Sequence, residues 1–218
     1  MKNLKAALIL FSLLVSLCAS AQEDKKVTFG VKIGSNLSNL TTDMKDTDEK
    51  TKAGGHIGVT LDYNIKDNWY ILAGLNFTML GAKEKVISEN ELNELTTELN
   101  YLQLPVHAAY KLKISETAKL VFHGGPYISY AVNGKHKSKA TSGEESVNAF
   151  SDEAGILKLK KFDAGIGLGI GIDIKKFNID LGSDLGIANI YAGRIENTDV
   201  KNVQINNTNA YISLGYKF

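Results

Sequence analysis

One cysteine in 218 residues excludes an intrachain disulfide framework and any cysteine-based zinc site. Only two prolines accompany 20 glycines, so glycine belongs to regular structure here rather than to Pro/Gly-rich linkers. An excess of one charge sign is also missing: 25 Lys+Arg stand against 24 Asp+Glu. That balance argues against a nucleic-acid partner, which needs a basic stripe, and against a disordered acidic tail. Beyond the N-terminus, no stretch approaches the roughly 18 uncharged apolar residues of a membrane helix. A helical membrane protein is thereby excluded, whereas a barrel that crosses with strands is not. The length suits one domain.

The N-terminus reads as an export signal. Lys2 and Lys5 precede an apolar run from Ala6 to Cys18, and Ala19-Ser20-Ala21 fits the small-x-small cleavage pattern. Cleavage after Ala21 is expected, with residues 1–21 as signal peptide and 22–218 as one barrel domain. Cys18 follows Leu17, where a lipid-modified cysteine would need a small residue.

From residue 27 onward the dominant period is two. Phe162, Ala164, Ile166, Leu168, Ile170, Ile172 and Ile174 alternate without error with Asp163, four glycines and Asp173. Seven further runs behave alike, among them Ile57 to Ile65, Trp69 to Met79, Leu102 to Leu112 and Ala210 to Phe218. Such alternation predicts strands with one apolar and one polar face, each about 9 to 13 residues long, the length of a tilted membrane strand. The connections alternate too. Lys66–Asn68, Ser115–Lys119 and Lys175–Lys176 are short, whereas 38–54, 82–98, 134–160 and 191–207 are long and polar. Glu89–Leu99 fits either a helical turn or an extension of the strands. The expected fold is all-β: an eight-stranded antiparallel up-and-down transmembrane barrel, with short turns at one end and four long loops at the other.

A soluble lipocalin-type barrel, carrying an apolar ligand, shares this strand pattern but turns its apolar face inward. Two features favour the membrane form. Gly165, Gly167, Gly169 and Gly171 suit a crowded lumen better than a solvated surface. Aromatics sit at the apolar-face strand ends, namely Phe29, Tyr63, Trp69, Tyr110, Phe162, Phe177, Tyr216 and Phe218, in the manner of interfacial girdles.

The segments FGVKIGSNLSNL, YLQLPVHAAYKL, HGGPYISYAVNGK, FDAGIGLGIGIDI and AYISLGYKF make the chain, from about residue 27 to 218, resemble the PorT-like outer-membrane β-barrel family of Bacteroidetes. More distantly it resembles the small OmpA/OmpX-type barrels. The resemblance implies a bacterial outer-membrane location, outer-membrane lipid and the barrel-assembly machinery as partners, and Tyr216 and Phe218 as the assembly signal. One member of that family is associated with secretion and gliding. A fold alone does not imply a function.

The polar face supplies the candidate site residues. Lys32, Asp62, His107, Lys111, His123, Asp163, Asp173, Asp180, Asp184 and Lys217 all point inward in the barrel reading, and buried charges must be paired. A lumenal ion-pair and hydrogen-bond network that closes the barrel is the expectation. A lipid-modifying enzyme would need a nucleophile beside a base. Ser129 and His123 share a face, but six residues of strand put them about 20 Å apart. The glycine run is GxGxGxG inside a strand rather than the GxGxxG that opens a helix. Asp43–Glu49 lacks the spacing of a calcium loop. No cofactor, metal or catalytic residue is therefore expected. The role expected is non-enzymatic: long loops presented to a protein partner or ligand, in secretion or envelope integrity.

Overall fold

The computed structural model describes residues 26–42, 49–88, 91–140, 143–192 and 203–218. The export segment and Asp43–Asp48 lie outside these residues. Among the described residues nine strands follow one another: β1 Val27–Thr42, β2 Glu49–Lys66, β3 Trp69–Ser88, β4 Glu91–Lys113, β5 Ala118–Ala140, β6 Gly143–Asn148, β7 Phe162–Ile174, β8 Phe177–Gly186 and β9 Ile205–Lys217. The helical content described is one short 3-10 helix, Asp152–Leu157. Eight strands pair antiparallel with their neighbours, and β9 returns to β1, closing the barrel. The ninth, β6, stands outside the ring and pairs with the upper part of β5.

Alternation dictates which side faces what. On β7 the apolar set faces out, with Leu168 57% exposed, while Asp163 on the opposite face is fully buried. Thirteen residues at about 3.3 Å each, tilted about 40°, rise about 30 Å, the thickness of a bilayer core. With every barrel strand paired on both sides, this belt offers lipid no open sheet edge. The soluble alternative, which needs the apolar face inside, is thereby corrected. Aromatic rings mark both margins of the belt. At the short-turn end Trp69 meets Tyr110 edge-on at 5.2 Å, and Tyr216 meets Phe177 at 5.4 Å and Phe218 at 5.8 Å. At the other end Tyr130 and Phe162 face each other across β5 and β7, both more than half exposed.

The strands on one side are longer than expected. β3, β4 and β5 run for 20, 23 and 23 residues, and much of 38–54, 82–98 and 134–160 is strand rather than loop. Of Glu89–Leu99, residues 89 and 90 lie outside the described residues, and Glu91 to Leu99 extend β4, paired with β3 from Ser88 back to Leu80. The reason is physical. Beyond the lipid the outer face of a strand is wet and turns polar, while inward positions such as Leu80, Ala82 and Leu99 are buried and apolar, so the apolar-out alternation is lost while the pairing continues. Cross-strand partners there include Glu98 opposite Lys135 and Glu94 opposite Lys139, and Lys137 reaches Glu98 at 3.0 Å.

Between these extensions and the shorter β7, β8 and β9, the chain turns inward. Leu40, Leu80, Leu99, Tyr101, Leu159 and Ile190 form a buried apolar cluster with Ala82, Ala131 and Ala149, and Phe150 and Ile205 pack on it. Leu159 is held by backbone bonds from its own N–H to Ala149 and by a bridge to Tyr191. This cluster caps the long-hairpin end of the barrel.

Candidate functional site

At the short-turn end four charges meet across the lumen. Lys111 of β4 lies 2.6 Å from Asp62 of β2 and 3.0 Å from Asp173 of β7. Lys217 of β9 reaches the same two carboxylates at 2.7 Å each. Asn178 adds a hydrogen bond to Asp173 at 2.8 Å. Two cations and two anions thus form a neutral ring that ties four strands together, each charge satisfied by both opposites. Lys111 also sits 4.5 Å from the centroid of the Tyr70 ring.

The middle of the lumen holds the imidazoles. His107 and His123 stack at 5.1 Å, their Nδ1 atoms 2.9 Å apart, and His123 Nε2 lies 2.8 Å from Asp180. One proton pattern satisfies the chain with neutral rings: His123 Nε2–H donates to the carboxylate, and His107 Nδ1–H donates to His123 Nδ1. His107 Nε2 then carries the lone pair, with no partner among the described residues. The β7 glycines make this stack possible. A Cβ at Gly167 would lie 2.7 Å from the His107 ring, one at Gly169 would strike the His123 ring, and one at Gly171 would sit 2.8 Å from Asp180 Oδ2. Beside the stack lies a cavity of about 90 Å³, lined by Lys32, His56, Asn76 and Asp180 among others. It is polar enough and large enough for ordered water.

Toward the cap, Gln103 and Asn209 donate to Asp184 at 3.1 and 3.3 Å. Asn207 and Tyr127 donate to Asp163 at 3.0 and 3.4 Å. The ten residues picked from the sequence therefore fall into separate groups. Lys111, Lys217, Asp62 and Asp173 meet at one end; His107, His123 and Asp180 form the chain in the middle; Asp163 and Asp184 are held by amides and a phenol rather than by lysines. Lys32 stands apart from the ion-pair ring, 5.8 Å from the Tyr211 ring centroid. Ser129 and His123 are not brought together, since His123 is engaged by His107 and Asp180.

Sequence reasoning missed His56, whose Nε2 lies 2.7 Å from Ser213 Oγ, and the amides Gln103, Asn207 and Asn209. Their inward parity was readable from the alternation; which carboxylate each one meets was not. Among the described residues no cluster of three or more His, Cys, Asp or Glu has the arrangement of a metal site. Chemically the lumen can hold protons and water in place between the ion-pair ring at one end and the apolar cluster at the other.

Comparison with known proteins bears on the fold. Residues 20–192 match the family model described as outer membrane protein beta-barrel domain. None of the curated proteins compared matches the chain. Among solved structures, OprG of Pseudomonas aeruginosa is 14% identical, with 89% of this chain and 97% of that one covered and a TM-score of 0.51. Ail, the attachment invasion locus protein of Yersinia pestis, is 13% identical over 88% and 99% of the two chains, with a TM-score of 0.41. Outer Membrane Protein W of E. coli is 16% identical over 88% and 98%, also at 0.41. At such identities the likeness is one of fold. With an outward apolar belt, a polar hydrogen-bonded lumen and a family match over most of its length, the chain belongs to the outer membrane protein β-barrel domain family and is a bacterial outer-membrane barrel.

Proposed function

We propose that this barrel is a non-enzymatic docking protein, standing with its short turns in the periplasm and its long hairpins outside the cell. The observation that carries this reading is β6. Among the described residues β5 is its one strand partner; on the other edge the Asn148 carbonyl is taken by Ser151 N–H, and the backbone groups of Ser146 are left to a further strand. Ala149 N–H donates to Gly134, so by alternation the N–H groups of Val147 and Glu145 face β5 and that of Ser146 points away. Glu145, Ser146 and Asn148 are exposed. An extended segment of a partner protein can add to such an edge, with main-chain hydrogen bonds supplying affinity. The same reading places the chain with the PorT-like barrels, in secretion or envelope integrity, and makes Tyr216 and Phe218 the contact for the barrel-assembly machinery.

The test uses one backbone hydrogen. Ser146→Pro removes the outward donor at the middle of the strand and leaves the β5–β6 ladder intact, as proline is tolerated on an edge strand. Mild crosslinking of intact cells should capture a partner with the native chain and lose it with Ser146→Pro, at unchanged barrel yield. In the same cells Lys137→Cys should react with an impermeant thiol reagent and Lys176→Cys should not. Undiminished capture by Ser146→Pro would show that the edge is not the docking surface; the reverse labelling pattern would invert the orientation.

A further inference from the structure

The short-turn end opens into a vestibule of about 320 Å³ whose charge is unbalanced. Five lysines line it, Lys111, Lys119, Lys175, Lys176 and Lys217, against Asp62, Asp173 and Glu116. Lys111 and Lys217 are already neutralised by Asp62 and Asp173, and Glu116 is held by Lys113 at 2.9 Å. Among the described residues Lys119, Lys175 and Lys176 have no ion pair with an acid of the vestibule. Lys119 lies 5.9 Å from the centroid of the Tyr70 ring and Lys176 lies 5.8 Å from that of Tyr216. Even with a free α-carboxylate at Phe218 counted, the wall stays positive. Thr28 and Thr117 line the same wall, and their hydroxyls add uncharged donors.

A second observation is independent of charge. The hairpin between β7 and β8 has two residues, Lys175 and Lys176, with φ of 52° at Lys175. The equivalent position of the β2–β3 turn is Asp67, φ 53°. Asp is among the residues that adopt this left-handed conformation readily, whereas lysine does so at a steric cost. A charged residue is therefore kept, against backbone preference, where it lines the vestibule.

We infer that the vestibule is a binding site for a phosphate-bearing anion, held by Lys119, Lys175 and Lys176 with the threonine hydroxyls. Multiple ammonium and hydroxyl donors suit an oxyanion of two or more charges. Two sources share this chemistry: a phospholipid headgroup of the adjoining leaflet and a soluble phosphate. The inference rests on the orientation proposed above only for which compartment supplies the anion.

The test is Lys175→Gly/Lys176→Ser in the otherwise full mature chain. Glycine relieves the positive φ, so the variant should fold at least as well, with a urea midpoint no lower than native. Inorganic phosphate, titrated into the protein in zwitterionic detergent, should shift the backbone amide resonances of Thr117 and Lys119 saturably. The variant should bind about thirtyfold more weakly, at about 1 kcal/mol and hence about fivefold for each lysine near an anionic group. In a second arm, native mass spectrometry of barrels released from phosphatidylglycerol/phosphatidylcholine nanodiscs counts retained phosphatidylglycerol. Retention by the native chain and loss in the variant assign the site to lipid. Phosphate binding without such retention assigns it to a soluble anion. Affinity unchanged in the variant, or no native response in either arm, overturns the inference. Intact phosphate binding with reversed thiol labelling would overturn the orientation alone.

Discussion

Consider the ion-pair ring when one member is removed. Lys111→Met keeps most of the side-chain volume and deletes an ammonium that holds Asp62 at 2.6 Å and Asp173 at 3.0 Å. Lys217 then faces two carboxylates alone, with one negative charge uncompensated in the lumen. Breaking a buried pair from one side costs about 3–5 kcal/mol, and Lys217, 16% exposed at its side chain, recovers part of that by shifting between the two acids. The expected loss is about 2–4 kcal/mol in urea unfolding from lipid vesicles. Asp62→Asn alone leaves two cations against Asp173 and should cost a similar amount. The double variant restores the balance, one lysine to one aspartate, so its cost should fall short of the sum by about 1–3 kcal/mol, the coupling of groups in one network. Strict additivity, or a loss below about 0.5 kcal/mol for Lys111→Met, would refute the claim that the four charges act as a unit.

Two further outcomes are expected. Leu168→Arg should cost about 2–4 kcal/mol as a cation near the bilayer midplane, while Leu168→Phe is tolerated by lipid; Gly167→Leu should lose about 1–3 kcal/mol by driving a side chain into His107, and heat-modifiable gel mobility reports all three. Reconstituted protein should give no stable large conductance in planar bilayers, because the ionic ring closes one end and the apolar cluster the other; regular porin-like steps would show an open lumen.

How much of this was legible in the sequence depends on which physical constraint acts at each point. From Phe162 to Ile174 the strand, its limits and both faces follow from alternation alone, since lipid on one side and a packed lumen on the other permit nothing else. From Gly134 to Ala140 the chain is also strand, with Gly134 and His136 buried on the inner face, but the outer face carries Lys135, Lys137 and Lys139 in place of apolar residues, so no apolar period survives to announce it. The ten inward residues were identifiable by parity. Their grouping was not, because parity says which way a side chain points and nothing of its height along the axis: Lys111 and Asp62 are 49 residues apart in the chain, and only the stagger of neighbouring strands brings them level. The apolar cap was hidden for the opposite reason. Leu80 and Leu99 occupy inward positions where the alternation calls for polar residues, and the chain that covers them, around Leu159 and Ile190, has no strand period.

The unequal strands give the molecule a front and a back. A barrel of eight equal strands presents the same profile from every direction in the membrane plane, and a ligand can approach it only from above. Here β3, β4 and β5, with β6, rise as a wall on one side, while β7 and β8 end near the lipid surface at 13 and 10 residues. A body drifting along the cell surface therefore meets either a sheet standing upright or a low sill. Two copies turned in the plane do not present equivalent flanks to each other. Lateral position around the barrel, which a symmetric cylinder would leave without meaning, becomes a coordinate that a neighbour can sense.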